Sequence, residues 1–442
     1  MHIELFDMSW LHFLIRSATP SKNQDSASAS TLRCLYIYRG TWRRTLSYPN
    51  EDLARDLVAF QRSNCKLGGG LEAFQDILFF PDRVHSGSYS PAGLPFQASV
   101  QNAFALPPPE AAGSPAHRLR RLKVTHHLRE LPAFFGRVAK MCALQHLEIA
   151  IVYNKDSDVL EAVESEDEEE GVQHSLSSLG IEGRWSDLFP AISLCPPPSA
   201  ATQFQALRLY YYGQDLPQTQ EAVAQLLDLP ARIIHHDHLE TMTIELLATR
   251  KHDVAYNGND LALTVGAFRP LLRYRRMVTL HLDLPCNIPL DIEFLHALAA
   301  VMGGTLRHLM VLKAVTLSID EPTSPVLTVD DLPTIAGVIL PRLETLGLDV
   351  IWDEESLSAK RHSLVVSSLL QTLYVGFRGP NSRNFGGVAK FLKRCFPGLQ
   401  YLYYHLLWHK HTQWTCVMDA NRYSGGFYGP GGRDWRKAPN KF

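Results

Sequence analysis

Four stretches hold side chains that could do chemistry. His235, His236, Asp237 and His238 form the run HHDH, a dense set of metal-ligating groups. Three ligands within four residues cannot all point at one ion from an extended segment, and an H-x-x-x-H site needs a helical turn that this run does not signal. His405 and His409 do have the i, i+4 spacing, with His411 beside them, and would hold zinc weakly only on a helix. The glycines of SGGFYGPGG, residues 424–432, do not make the phosphate-cradling G-x-x-x-x-G-K-[ST] pattern. No G-x-S-x-G occurs, and the Ser, His and Asp spacings argue no triad. The expectation is a chain without a catalytic, cofactor-binding or metal site.

The fourth stretch is the acidic run DSDVLEAVESEDEEE, Asp156 to Glu170. Its like charges repel, so residues 154–184 read as a disordered, solvated loop that could also dock a basic partner. Ser165, followed by Glu166, Asp167 and Glu168, suits an acidophilic kinase, whose phosphate would add about two negative charges. Residues 154–184 contain ten acidic and two basic side chains, so the chain's net charge of -2 hides a body of about +6. A near-neutral total gives no general attraction to nucleic acid. The basic tail Arg433–Phe442 reads as a solvated terminus, so nucleic acid is not an expected partner.

Seven scattered cysteines without a C-x-x-C pair suit reduced thiols. Glu4 and Asp7 precede the first apolar patch, which is wrong for a secretory signal, and no apolar run reaches the length of a membrane span. A cytoplasmic or nuclear protein with no membrane contact is the expectation.

Any such residues must be positioned by a repeat. Leu343, Leu346 and Leu348 in LPRLETLGLDV follow the order L-x-x-L-x-L, and the order returns in LRCLYIY from Leu32 and in copies starting at Leu119, Leu144, Phe204, Leu239, Met277, Leu306, Leu370 and Leu399. The last two apolar positions alternate inward on a short strand, and the first closes the turn before it. One unit cannot bury that edge, but stacked units bury it continuously. Between copies, LPAFFGRVAKMC, LDIEFLHALAAVMG, VDDLPTIAGVIL and NFGGVAKFLKRCF carry helical apolar spacing. The fold class is therefore α/β, an irregular strand-helix solenoid of leucine-rich type with a parallel sheet on its concave face.

The expected organisation is an N-terminal helix and flexible connector over 1–31, and a first repeat with a helical cap region over 32–80. A Pro-rich insertion covers 81–118, the solenoid covers 119–407, and a Gly-rich, basic tail covers 408–442. The segment LEAFQDILFF at 71–80 fits either a strand or a helix.

The stretches LLRYRRMVTLHLDLPCNIPLDIEFLHALAAVMGGTLRHLMVL and VDDLPTIAGVILPRLETLGLDV resemble the irregular leucine-rich repeats of fungal F-box proteins, in which P-x-L-x-x-L-x-L follows a helix. The resemblance spans residues 119–407. It implies a substrate-holding solenoid, related to ubiquitin-ligase adaptors that dock a Skp1-type subunit through an N-terminal F-box. No F-box is recognisable in the 31 residues before Leu32, so a Skp1-type partner is not expected of this chain.

Outward positions of the strands then form the expected protein-binding surface. Its members are Tyr210, His281, Asp283, His308, Asp349, Tyr374, Tyr401, Tyr403 and His405, joined by His146, Glu148, Arg208, Thr243, Glu245 and Met310. Thr345 and Gly347 beside Asp349 belong to the same face. Aromatics on a polar sheet suit binding hot spots, although packing between adjacent strands explains them equally. The reading is a non-enzymatic protein-interaction solenoid. An enzyme assembled from separate loops and a purely structural repeat are the alternatives.

Overall fold

A computed structural model describes residues 34–39, 72–78, 119–139, 141, 143–152, 176–195, 204–211, 219–233, 238–246, 263–284, 288, 290–313, 327–351, 369–378, 391–406 and 415–419. The N-terminal helix, the cap helix after Asn50, the Pro-rich insertion, the acidic run with Ser165 and the tail beyond residue 419 lie outside them. The chain divides into unit 1, residues 1–213 and 233–235, and unit 2, residues 214–232 and 236–442.

Unit 1 carries β1 Cys34–Arg39, β2 Ala73–Leu78, β3 Arg121–His127, β4 His146–Val152, β5 Ser178–Gly183 and β6 Ala206–Tyr211. Each pairs in parallel with the next. Unit 2 carries β7 Thr241–Leu246, β8 Thr279–Leu284, β9 His308–Lys313, β10 Thr345–Ile351, β11 Thr372–Arg378 and β12 Tyr401–Leu406, also parallel in chain order. A final strand, β13 Thr415–Asp419, runs antiparallel on β12. Both units are thus α/β, with short parallel strands in sequential order.

The apolar order explains the pairing. The first positions Leu119, Leu144, Phe204, Leu239, Met277, Leu306, Leu343, Leu370 and Leu399 are all at most 3% exposed. Leu346 and Leu348 on β10, and their counterparts on neighbouring strands, point to the same buried side. Sequential parallel order follows because each copy offers the same edge to the next.

A second device joins the copies through backbone alone. The residue after the first leucine uses its carbonyl to accept two successive amides at the start of the next strand. Arg120 O accepts from Gln145 N at 2.9 Å and His146 N at 2.9 Å, and Arg307 O from Glu344 N at 2.8 Å and Thr345 N at 3.1 Å. Glu72, Gln145, Ser177, Glu240, Val278, Glu344 and Gln371 do the same. Because the bond is to a main-chain group, the side chain at that position is free to be Arg, Gln, Ser, Glu or Val.

Two segments depart from expectation. Residues 154–184 are not a loop throughout, since Ser178–Gly183 forms β5 between β4 and β6. The acidic run ends at Glu170, and Leu176, Leu179 and Ile181 restore the repeat order, each at most 2% exposed. The 60-residue interval from Leu144 to Phe204 is thereby split into 32 and 28. Likewise, part of the expected tail supplies β13, while the segment at 71–80, open between strand and helix in the residue pattern, supplies β2.

Helices return the chain between strands. In unit 1, α1 Leu131–Ala139 buries Leu131, Phe134, Phe135 and Val138, with Phe134 tilted against His126 at 4.4 Å between ring centroids. The next helix, α2 Trp185–Ser193, starts where Arg184 forks onto buried Asp187 through two 3.0 Å bonds. Trp185 then meets Tyr211 edge-on at 5.2 Å. In unit 2 the returns include α3 Gln220–Ile233, all but its last residue in this unit, a 3-10 helix Val265–Arg273 and α4 Ile292–Met302. Asp291 caps α4 by accepting from Phe294 N at 2.7 Å. The expected helix VDDLPTIAGVIL is irregular: a 3-10 turn Val329–Asp331, an α turn and a π segment Ile335–Ile339, opened by a capping box of Thr328 and Asp331. Residues 391–395 are helical, and Lys393 Nζ donates to the Leu399 carbonyl at 2.6 Å, placing a cation at the helix end.

Candidate interaction face

The outward positions of unit 2 line up in three rows across its strands. The first row is Thr241, Thr279, His308, Thr345, Thr372 and Tyr401. The second is Thr243, His281, Met310, Gly347, Tyr374 and Tyr403, and the third includes Asp283, Leu312, Asp349, Gly376 and His405. Eight of the nine expected contact residues therefore share one unit's face by register: His281, Asp283, His308, Asp349, Tyr374, Tyr401, Tyr403 and His405. Tyr210 lies apart from them in sequence on β6 of unit 1, opposite Glu182.

The tyrosines form a graded stack. Tyr374 and Tyr403 lie parallel at 4.6 Å and 10°, and Tyr401 lies 6.3 Å from Tyr403. Tyr374 is buried, whereas Tyr401 is 39% exposed. The expectation that Tyr374 is exposed is corrected: Tyr374 supports Tyr403, and of the three rings Tyr401 presents the most surface. Cross-strand pairing puts aromatics opposite one another, so their faces cover each other before any partner arrives.

Thr345 and Gly347 are corrected in the same way. Thr345 is 4% exposed, with Oγ1 at 3.1 Å from His308 Nδ1. Gly347 is covered by Met310, whose Cγ would stand 3.1 Å from an added Cβ. At Gly376 an added Cβ would overlap Asp349 Oδ1, so this carboxylate lies flat over the β11 backbone beside the tyrosine stack.

Burial also sets protonation. Loss of water lowers His281 to about 4, and His308 is lowered chiefly by the same cause. The unfolded chain, with an ordinary histidine, binds more protons than the folded chain between pH 6.5 and 4, so stability falls as pH drops through that window. His281 keeps some contact with water, which reduces its share to on the order of 1 kcal/mol. The parent should melt earlier at pH 4.5 than at pH 7, and His281→Gln should flatten that difference; parallel melting losses in both would refute the assignment.

Cysteine chemistry is muted by the same physics. Burial pushes the Cys195 thiol up to about 12 and Cys395 up to about 11, the latter aided by Asp330, so both remain protonated. Among the described residues no group of three or more His, Cys, Asp and Glu gathers as a metal site. His235–Asp237, His409, His411 and residues 424–432 lie outside those residues. Among the described residues no helix is long and apolar enough to cross a membrane.

Sequence reasoning missed the His308–Thr345 contact and the ion pair of Lys123 Nζ with Glu148 Oε2, 2.6 Å apart across β3 and β4. Strand register, which a single chain's residue order does not display, makes both. No protein-family model matches the chain, and no curated protein matches it in sequence.

Proposed function

We propose that the chain is a non-enzymatic protein-interaction repeat of leucine-rich type, holding a protein partner on the outward face of unit 2. The observation that carries this reading is the tyrosine stack. Tyr401 is a large ring left 39% exposed on a face whose neighbours are threonine, histidine and aspartate. A rigid aromatic held by a second aromatic loses little conformational freedom on binding, which is the character of a hot spot. The backbone ladder supports the reading too, because outward side chains can vary without loosening the stack. By resemblance to F-box adaptors, the partner is a substrate of a ubiquitin ligase, in the cytoplasm or nucleus.

Affinity capture from native cells, probed for a Skp1-type subunit, tests the ligase relationship directly. The double variant Tyr401→Ala/Tyr403→Ala should bind the captured partner at least about tenfold more weakly, with an unchanged far-UV CD spectrum. Equal capture by parent and variant would remove this face from the function.

A further inference from the structure

The outward face of unit 1 differs in charge from the tyrosine face, and its arginines are the informative part. Arg121 on β3, His146 on β4, Ser178 on β5 and Ala206 on β6 stand in one row. Lys123, Glu148, Gly180 and Arg208 stand in the next. Lys123 is held by Glu148 at 2.6 Å. Arg120, Arg121 and Arg208 make no ion pair among the described residues, and Arg120 and Arg121 are exposed. Both Arg121 and Arg208 act on His146, which burial and these two cations keep neutral. Between the arginines the floor is low: Ser178 is 8% exposed, Gly180 and Ala206 add almost no bulk, and the stem of Glu148 lies over Gly180, with Cγ 2.9 Å from where a Cβ would sit.

From this arrangement we infer that the outward face of unit 1 docks an acidic, extended peptide segment of a partner protein, with carboxylate or phosphate groups seated on Arg120, Arg121 and Arg208. Guanidinium forks match such anions in geometry. Arg121 and Arg208 are three strand spacings and one row apart, roughly 16 Å, which an extended segment spans in about five residues. Two anionic side chains at that separation therefore reach both ends of the low floor. A single phosphate ion does not bridge that distance. A nucleic-acid backbone needs a continuous track of cations, and here Glu148 and Glu182 interrupt it. Burial raises Glu182, an effect opposed by Lys123 and reinforced by Glu148. This surface is independent of the tyrosine face.

The test uses the full chain and three fluorescein-labelled probes: a 15-residue Glu/Ser peptide, a Gly/Ser peptide of equal length, and a single-stranded oligonucleotide of matching charge. Fluorescence anisotropy should show that the Glu/Ser peptide binds, that the Gly/Ser peptide does not, and that salt weakens binding. Arg121→Gln/Arg208→Gln should weaken it at least tenfold, while Tyr401→Ala/Tyr403→Ala should not change it. Both arginines project from the outward face, and an unchanged thermal melt verifies folding of the variant. Undiminished binding by the arginine variant, or tighter binding of the oligonucleotide than the peptide, would overturn the proposal. A further full-length variant with Asn and Gln replacing Asp and Glu in 156–170 separates the chain's own acidic run from a partner. If the probe binds only this variant, the run itself occupies the face and a partner segment does not.

Discussion

Leu346→Ala should lower the stability of the chain by about 2–5 kcal/mol. Leu346 is fully buried on β10 and stands in register with Leu309 on β9 and Leu373 on β11, both equally buried. Removing three carbons at this point leaves a void that neither neighbour can fill without shifting its own strand, since each is fixed by the amides that bond the preceding copy's carbonyl. In a stacked repeat the loss falls on two interfaces, the one before β10 and the one after it. Urea unfolding followed by far-UV CD measures the change. An outward substitution on the adjacent strand, Thr372→Ala, should stay within about 0.5 kcal/mol. Equal effects from the two substitutions would mean that the spine is not where the stability lies.

That contrast reflects how the repeat divides its residues. Spine positions such as Leu343, Leu346 and Leu348 must be apolar and of similar length because each fills the same slot between copies. Outward positions carry no such demand, and the linking carbonyls of Arg120, Glu240 and Gln371 work whatever side chain accompanies them. Charge can consequently differ between units on the same backbone pattern. Unit 1 presents Arg121 and Arg208, and unit 2 presents tyrosines beside Asp349.

This division also explains what was legible from residue order. The spine and the α/β class were legible because leucine spacing records burial directly. So was the helix α4, with Asp291 ahead of its apolar stripe. β5 was hidden because nine acidic residues between Asp156 and Glu170 dominate the composition of 154–184, although Leu176, Leu179 and Ile181 carry the order once that run ends. At the candidate face, residue order placed the tyrosines on outward positions but not their unequal exposure. Tyr374 is buried because Tyr403 stands opposite it across β11 and β12, a fact of register. Arg121 and Arg208 lie 87 residues apart in the chain, so residue order does not show that they flank one floor.

The helix α3 was hidden for a different reason, and it leads to the second large effect: Tyr274→Phe should destabilise the chain by about 1–3 kcal/mol. Pro230 sits inside α3, where it removes one amide and pushes the preceding turn aside, a pattern that argues against a helix. Unit 2 keeps the helix by repairing the break from outside. The Tyr274 hydroxyl donates to Leu227 O at 2.8 Å, satisfying a carbonyl of the disturbed turn. Leu227 and Ala231 are four apart, the pair that an unbroken helix would join directly. Burial of this phenol raises its pKa strongly, so it stays protonated and able to donate across the pH range in which the chain folds. Phenylalanine fills the same volume and removes only the oxygen, leaving the buried Leu227 carbonyl either to close on the Ala231 amide against the proline or to remain without this donor. Chemical denaturation gives the free-energy change, and amide exchange at Ala231 distinguishes the two outcomes. A loss below about 0.5 kcal/mol with a still-protected Ala231 amide would show that the helix closes by itself and that Tyr274 serves only as packing.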